Sequence, residues 1–152
     1  MHPARHREEG FTLIEILIVV SIIGLLMAFV ANTFFGRAEE AKITLTEAQI
    51  QKLSQTLDLY KLDNGRYPTT DQGLQALVRE PTSAPAPRRY QQGGYVKDRD
   101  LKDAWSGDFV YEAPGRTNSF GFDLCSPGPD GVAGSGGQSS DDICNYSAED
   151  RR

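Results

Sequence analysis

Beyond residue 6 the sequence has no histidine: His2 and His6 are the only two. A chain cut after Gly10 would have none, which removes the commonest general base and the commonest metal ligand. No serine, cysteine or lysine has a recognisable base partner, so a membrane-anchored hydrolase with its site in the acidic C-terminal loop finds no machinery. A basic excess is missing too. The net charge is -5 and the pI about 5.0, which argues against a nucleic-acid-binding surface. Cysteine is scarce, with Cys125 and Cys144 the only two. An even pair in an exported chain fits one disulfide, and two unpaired buried thiols are the alternative. The length, 152 residues, suits one modest domain. What is present is unevenly spread: apolar residues crowd into 11–35, and glycine and proline into the last third.

The first ten residues, MHPARHREEG, are polar. From Phe11 to Phe35 runs a stretch of 25 residues with one charge, Glu15. As a helix it would be about 37 Å long at ~1.5 Å per residue, enough for a hydrocarbon core of roughly 30 Å. A secretory signal has a shorter apolar core followed by a small-residue cleavage site. Here the small residue at the polar-apolar junction, Gly10, precedes the run, so a cut there retains the span. An ionisable side chain in such a run costs on the order of 3 kcal/mol at its centre and less near an end. Cleavage after Gly10 would place a free amine on Phe11, one helical turn from Glu15. A neighbouring subunit's amine could neutralise that carboxylate; a snorkelling or protonated Glu15 near headgroups is the plainer reading.

Helical pattern continues beyond the span. Ile50, Leu53, Leu57 and Tyr60 mark one apolar face, with Glu39, Glu40, Lys42, Glu47, Lys52 and Asp58 in other directions. Asn64-Gly65 supplies a stop. One helix from about 11 to 63 is expected, apolar all round in its first half and amphipathic in its second. Thr69-Thr70-Asp71-Gln72 reads as a capping box opening a short helix over about 70–79. Residues 80–94 form an irregular connector. Phe109-Val110-Tyr111 is a strand candidate, Phe120, Phe122 and Leu124 form the apolar face of a second, and a third lies near Ile143. The expected fold class is α+β: a long N-terminal helix packed on a small antiparallel sheet.

Gly10-Phe11-Thr12-Leu13-Ile14-Glu15 resembles the type III signal sequence of type IV pilins and type II secretion pseudopilins. In that family a prepilin peptidase cleaves after the glycine and N-methylates the new terminal phenylalanine. Glu8 and Glu9 stand where relatives usually carry basic residues, and Arg5 and Arg7 still supply cytoplasmic positive charge. Residues 60–70 (YKLDNGRYPTT), Gln72-Gly73-Leu74-Gln75-Ala76-Leu77, Gly93-Gly94-Tyr95, Asp103-Ala104-Trp105-Ser106-Gly107 and Ser126-Pro127-Gly128-Pro129-Asp130-Gly131 resemble the major pseudopilin family of type II secretion, general secretion pathway protein G. The resemblance covers about residues 10–145. It implies a pilin-like fold divided into a cleaved leader (1–10), a transmembrane and filament-core helix (11–35) and a periplasmic domain (36–152) with a calcium loop at 126–142.

That loop reads SPGPDGVAGSGGQSSDD, with Asp130, Asp141 and Asp142 its only charges. Hard cations take six to eight oxygens from carboxylates and carbonyls, but composition alone is better read as a solvated acidic surface loop. The resemblance implies one Ca²⁺, with side-chain ligands at Asp130, Asp141 and Asp142 and backbone carbonyls at Pro127, Val132 and Ser139. Relatives have a shorter loop, without the 134–137 insertion, and more usually leucine at Pro127. Cys125 and Cys144 bracket the loop.

The implied role is structural and non-enzymatic: the main subunit of a periplasmic pseudopilus that helps move folded proteins across the outer membrane. Expected partners are further copies of the chain, minor pseudopilins, the prepilin peptidase, the inner-membrane assembly platform and, before assembly, membrane lipid. The expected location is the bacterial inner membrane, single-pass, with the C-terminal domain in the periplasm. A type IV pilus subunit, or a minor pilin-like protein, is the alternative; the Ca²⁺-loop pattern and the short C-terminal domain count against the first.

Overall fold

The structure, a computed structural model, describes residues 11–134 and 141–146, with backbone alone over 29–35. It contains a long helix α1 (Leu13–Asn64) and three strands, β1 (Val110–Glu112), β2 (Asp123–Ser126) and β3 (Ile143–Cys144). Short 3-10 turns lie at Leu74–Leu77, Asp98–Leu101 and Gly128–Asp130. The chain divides into two compact units between Glu39 and Glu40.

In the first unit, α1 starts where Thr12 can cap it. The Glu15 N–H donates to Thr12 Oγ1 at 3.3 Å and to the Thr12 carbonyl at 3.1 Å, which satisfies a donor that a helix start otherwise leaves open. No glycine or proline interrupts the next eight residues, and Leu, Ile and Val fill every direction around the axis.

In the second unit, α1 is amphipathic. Thr46, Ile50, Leu53, Leu57, Tyr60 and Asn64 are buried, spaced by four, three, four, three and four residues, the repeat of one helix face. Of these, Ile50, Leu53, Leu57 and Tyr60 meet Leu77, Leu101, Phe109, Tyr111, Phe122 and Leu124 in one core. The helix ends at the expected stop. Gly65 takes φ +78° and its N–H returns to the Lys61 carbonyl at 2.7 Å. Asn64 does more than stop the helix: its amide donates to the Tyr60 carbonyl at 2.9 Å, and its Oδ1 accepts the Arg89 N–H at 3.0 Å, pinning the connector.

The capping box forms, but not the helix that it predicts. Thr69 Oγ1 accepts the Gln72 N–H at 3.2 Å, and Gln72 Oε1 accepts the Thr69 N–H at 3.1 Å. Gly73 follows at φ +58°, which α-helix cannot accommodate, so only the 3-10 turn Leu74–Leu77 results.

The sheet has order β1-β2-β3, all antiparallel. Val110, Tyr111 and Glu112 pair with Cys125, Leu124 and Asp123, and Cys125 and Ser126 pair with Cys144 and Ile143. Tyr111 and Leu124 face the core, and alternation sends Val110, Glu112, Asp123 and Cys125 to the other face. One expectation is corrected here. The alternation pattern puts Phe120 on the apolar face of a strand with Phe122 and Leu124, but it is 96% exposed. The Gly121 N–H closes on the Asn118 carbonyl at 3.0 Å, so Phe120 belongs to a turn and β2 starts only at Asp123.

Candidate functional site

Two regions carry the residues singled out from the sequence. The first is the apolar start of α1. Gly10 lies outside the described residues. Phe11 is exposed just ahead of the helix, and Glu15 is exposed in its first turn. Thirteen large apolar side chains between Phe11 and Met27 are 47–86% exposed. Burying such surface is favourable by roughly 25 cal/mol per Å². Among the described residues no helix is long and apolar enough to cross a membrane.

The second region is the loop after β2. Cys125 and Cys144 form a disulfide across paired strand positions, 19 residues apart in sequence. The bond therefore closes the loop at its base. Gly128 has φ +67°, and a Cβ placed there would come within 2.4 Å of the Asp141 carbonyl oxygen, so only glycine lets the two ends of the loop approach this closely. Asp130 Oδ1 accepts the Val132 N–H at 2.8 Å, and Asp142 Oδ2 accepts the Gly134 N–H at 3.2 Å. Pro127 is buried and Val132 exposed; Ser139 lies outside the described residues. Among the described residues no group of three or more His, Cys, Asp or Glu side chains stands close enough to hold a metal. The donor chemistry suits a hard cation. The described geometry brings Asp141 against Gly128 and Asp142 against Gly134 but does not gather Asp130 with them.

A buried carboxylate joins the loop to the rest of the second unit. Asp103 Oδ1 accepts the N–H groups of Trp105 (3.0 Å) and Gly107 (2.7 Å), and Oδ2 accepts the Ser126 hydroxyl at 2.6 Å. Ser126 Oγ in turn accepts the Gly128 N–H at 3.1 Å. Thr46 Oγ1 on α1 accepts the Ala104 N–H at 3.4 Å. Buried polar groups with all partners present fix a local conformation firmly. Sequence patterns alone miss this network. The one signal for it is Asp103-Ala104-Trp105-Ser106-Gly107, whose aspartate caps its own turn.

Burial raises several tyrosine phenols of this unit. Burial, then the hydrogen bond to Asp58 at 2.7 Å, pushes the Tyr67 phenol up to about 12. Burial, with Tyr95, Tyr60 and Glu80 nearby, pushes Tyr90 up to about 12 as well. Asp100 is held below the ordinary carboxylate range by the Lys97 N–H at 3.2 Å, and less by the Lys52 ammonium at 3.5 Å.

A capped apolar helix start followed by an α+β unit is the arrangement of pilin-like filament subunits. Residues 5–31 match the prokaryotic N-terminal methylation motif, and residues 33–146 match type II secretion system protein G. The type II secretion system core protein G of Aeromonas hydrophila is 44% identical over 146 residues, covering 96% of this chain and 97% of its own. That of Pseudomonas aeruginosa is 43% identical over 142 residues, covering 93% and 97%. The crystal structure of the major pseudopilin from the type 2 secretion system of enterohaemorrhagic Escherichia coli matches with a TM-score of 0.63 and 44% identity, over 72% of this chain and 87% of that one. This chain belongs to the type II secretion system protein G family, that of the major pseudopilin, a structural subunit of the secretion pseudopilus. The methylation motif and the family imply a membrane-anchored, periplasmic protein. The relatives are secretion-system subunits, which favours this reading over a type IV pilus subunit.

Proposed function

We propose that this chain is made with a leader that ends at Gly10, is anchored by residues 11–35 in the inner membrane with its C-terminal part in the periplasm, and after cleavage packs that helix against further copies. The observation that carries this is the continuous exposure of apolar side chains from Phe11 to Met27. Lipid covers that surface before assembly and sister helices cover it afterwards. Prepilin peptidase would supply the cut and the N-methylation of Phe11; minor pseudopilins and the inner-membrane platform would start and drive the filament. The Phe11 amine of one subunit would neutralise Glu15 of its neighbour and set their stagger. The role is structural, and no catalytic residue is assigned. Glu15→Ala is expected to be inserted and cleaved normally yet to yield few filaments by electron microscopy. Abundant filaments from that variant would reject the pairing.

The loop 126–142 is read as a Ca²⁺ site, with carboxylates from Asp130, Asp141 and Asp142 and carbonyls from Pro127, Val132 and Ser139. Support comes from the oxygen-only donor set and from the disulfide and the Gly128 contact that hold its ends together. When bound, the ion would supply charge neutralisation for three acidic side chains and nothing catalytic. A chelator is expected to lower the melting temperature of the protein, and readdition of Ca²⁺ to restore it; a melting temperature indifferent to both would count against the site.

A further inference from the structure

Strand β3 is two residues long, Ile143–Cys144, and it follows directly on Asp141 and Asp142. The strand and both aspartates are half-buried, whereas every residue of β2 beside it is buried. Two ladder positions join the strands, Cys144 opposite Cys125 and Ile143 opposite Ser126. Asn145 adds a clamp. Its N–H donates to the Leu124 carbonyl at 2.9 Å, its Oδ1 accepts the Leu124 N–H at 2.9 Å, and its Nδ2 donates to the Phe122 carbonyl at 3.1 Å. A short strand pairing with little apolar cover is marginal in water. The Cys125–Cys144 bond lies across one of the two ladder positions and makes that pairing covalent.

The other end of the loop is fixed from the core. Ser126 Oγ accepts the Gly128 N–H at 3.1 Å, and its hydroxyl donates to the buried Asp103 carboxylate at 2.6 Å. Gly128 then stands so close to the Asp141 carbonyl oxygen that a Cβ would come within 2.4 Å of it. Asp142 Oδ2 accepts the Gly134 N–H at 3.2 Å. With β3 fastened, Asp141 and Asp142 hold these positions, and Asp130 is the carboxylate not gathered with them. With β3 free, Asp141 and Asp142 would also have to be ordered on binding, and that ordering would lower the affinity.

We propose that the Cys125–Cys144 bond sets the cation affinity of the loop by holding Asp141 and Asp142 in place ahead of binding, so that loading with Ca²⁺ follows the thiol–disulfide state of this pair. This rests on the Ca²⁺ reading of the loop above. Both cysteines are positioning residues, and neither supplies a ligand. Reduction by a dithiol breaks the S–S bond and delivers two electrons and two protons to the two sulfurs, while the dithiol closes its own disulfide. Hydrogen bonds alone then hold β3 to β2.

The test is calorimetric titration of Ca²⁺ into full-length, chelator-stripped chain in detergent, well below its melting temperature. Replacing Cys125 and Cys144 together by serine is expected to weaken Ca²⁺ binding roughly ten- to a hundredfold, up to the closure entropy of a loop this long. Wild-type chain reduced with dithiothreitol should show the same loss and recover on reoxidation, which covers a serine variant that does not fold. Leu57→Ala, which loosens the core through a residue outside the loop, should leave the affinity unchanged. Unchanged affinity in the serine variant or in the reduced chain would overturn the proposal, as would an equal loss in Leu57→Ala. Wild-type chain that took up no Ca²⁺ would reject the Ca²⁺ reading together with the proposal. Normal wild-type uptake with an indifferent cysteine pair would reject the coupling alone.

Discussion

The two stretches of α1 on either side of residue 40 have the same backbone and opposite surfaces. From Phe11 to Met27 every large apolar side chain is about half exposed or more. From Thr46 to Asn64 one face is buried to 0–3% and charged residues occupy the others. Hydrogen bonding within the helix is the same in both, so what differs is the solvent each stretch is built for. A helix that is apolar all round has no preferred side and needs an apolar environment on every side. A helix with a single apolar face is completed by its own chain.

That contrast can be broken or sharpened by substitution. The largest effect is expected from Leu57→Ala, fully buried in the second unit, which should cost about 2–5 kcal/mol in thermal unfolding. Leu17→Ala, in the exposed run, should leave unfolding of the domain unchanged and show itself only in filament yield. Equal destabilisation by both would erase the distinction. Next, replacing Cys125 and Cys144 together by serine opens a closed loop of 18 residues and should cost about 3 kcal/mol on the loop-entropy account. Urea unfolding of the pair variant reads this directly, and an unchanged midpoint would show that the loop is held by other means.

The smallest and most selective effect is alkaline. All six tyrosines follow residue 40, so a high-pH transition reports the second unit alone. Tyr67 and Tyr90 are raised from about 10 to about 12 in the folded chain, chiefly by burial. A raised phenol holds its proton better folded than unfolded, so its contribution is complete below pH 10 and is lost as pH rises from about 10 to about 12. Denaturant midpoints by near-ultraviolet circular dichroism should be level below that window and fall within it. A level midpoint across it would contradict the assignment.

The sequence is most legible where one periodicity runs long. Ile50, Leu53, Leu57 and Tyr60 are readable as a buried face because successive turns repeat the same signal. The stop at Gly65 is legible because a left-handed residue is a local requirement. Residues 70–79 mislead because a genuine capping box is followed by Gly73, whose positive φ ends what the box begins. Phe120 misleads because alternation over three residues cannot distinguish a strand from a turn whose chain has not yet entered the sheet. The Asp103–Ser126–Gly128 network is non-local, joining a turn to a strand 23 residues away, and no single-segment pattern encodes it. In the loop, the acidic residues are legible as donors, but their spacing in the chain does not determine whether Asp130 reaches Asp141 and Asp142.

The most direct test of the account is the mass of the N-terminal peptide from membrane-extracted protein. A chain beginning at Phe11 with one added methyl, and retaining residues 11–35, is the predicted result. An intact Met1 terminus, or cleavage beyond residue 30 that discards the apolar run, would contradict it.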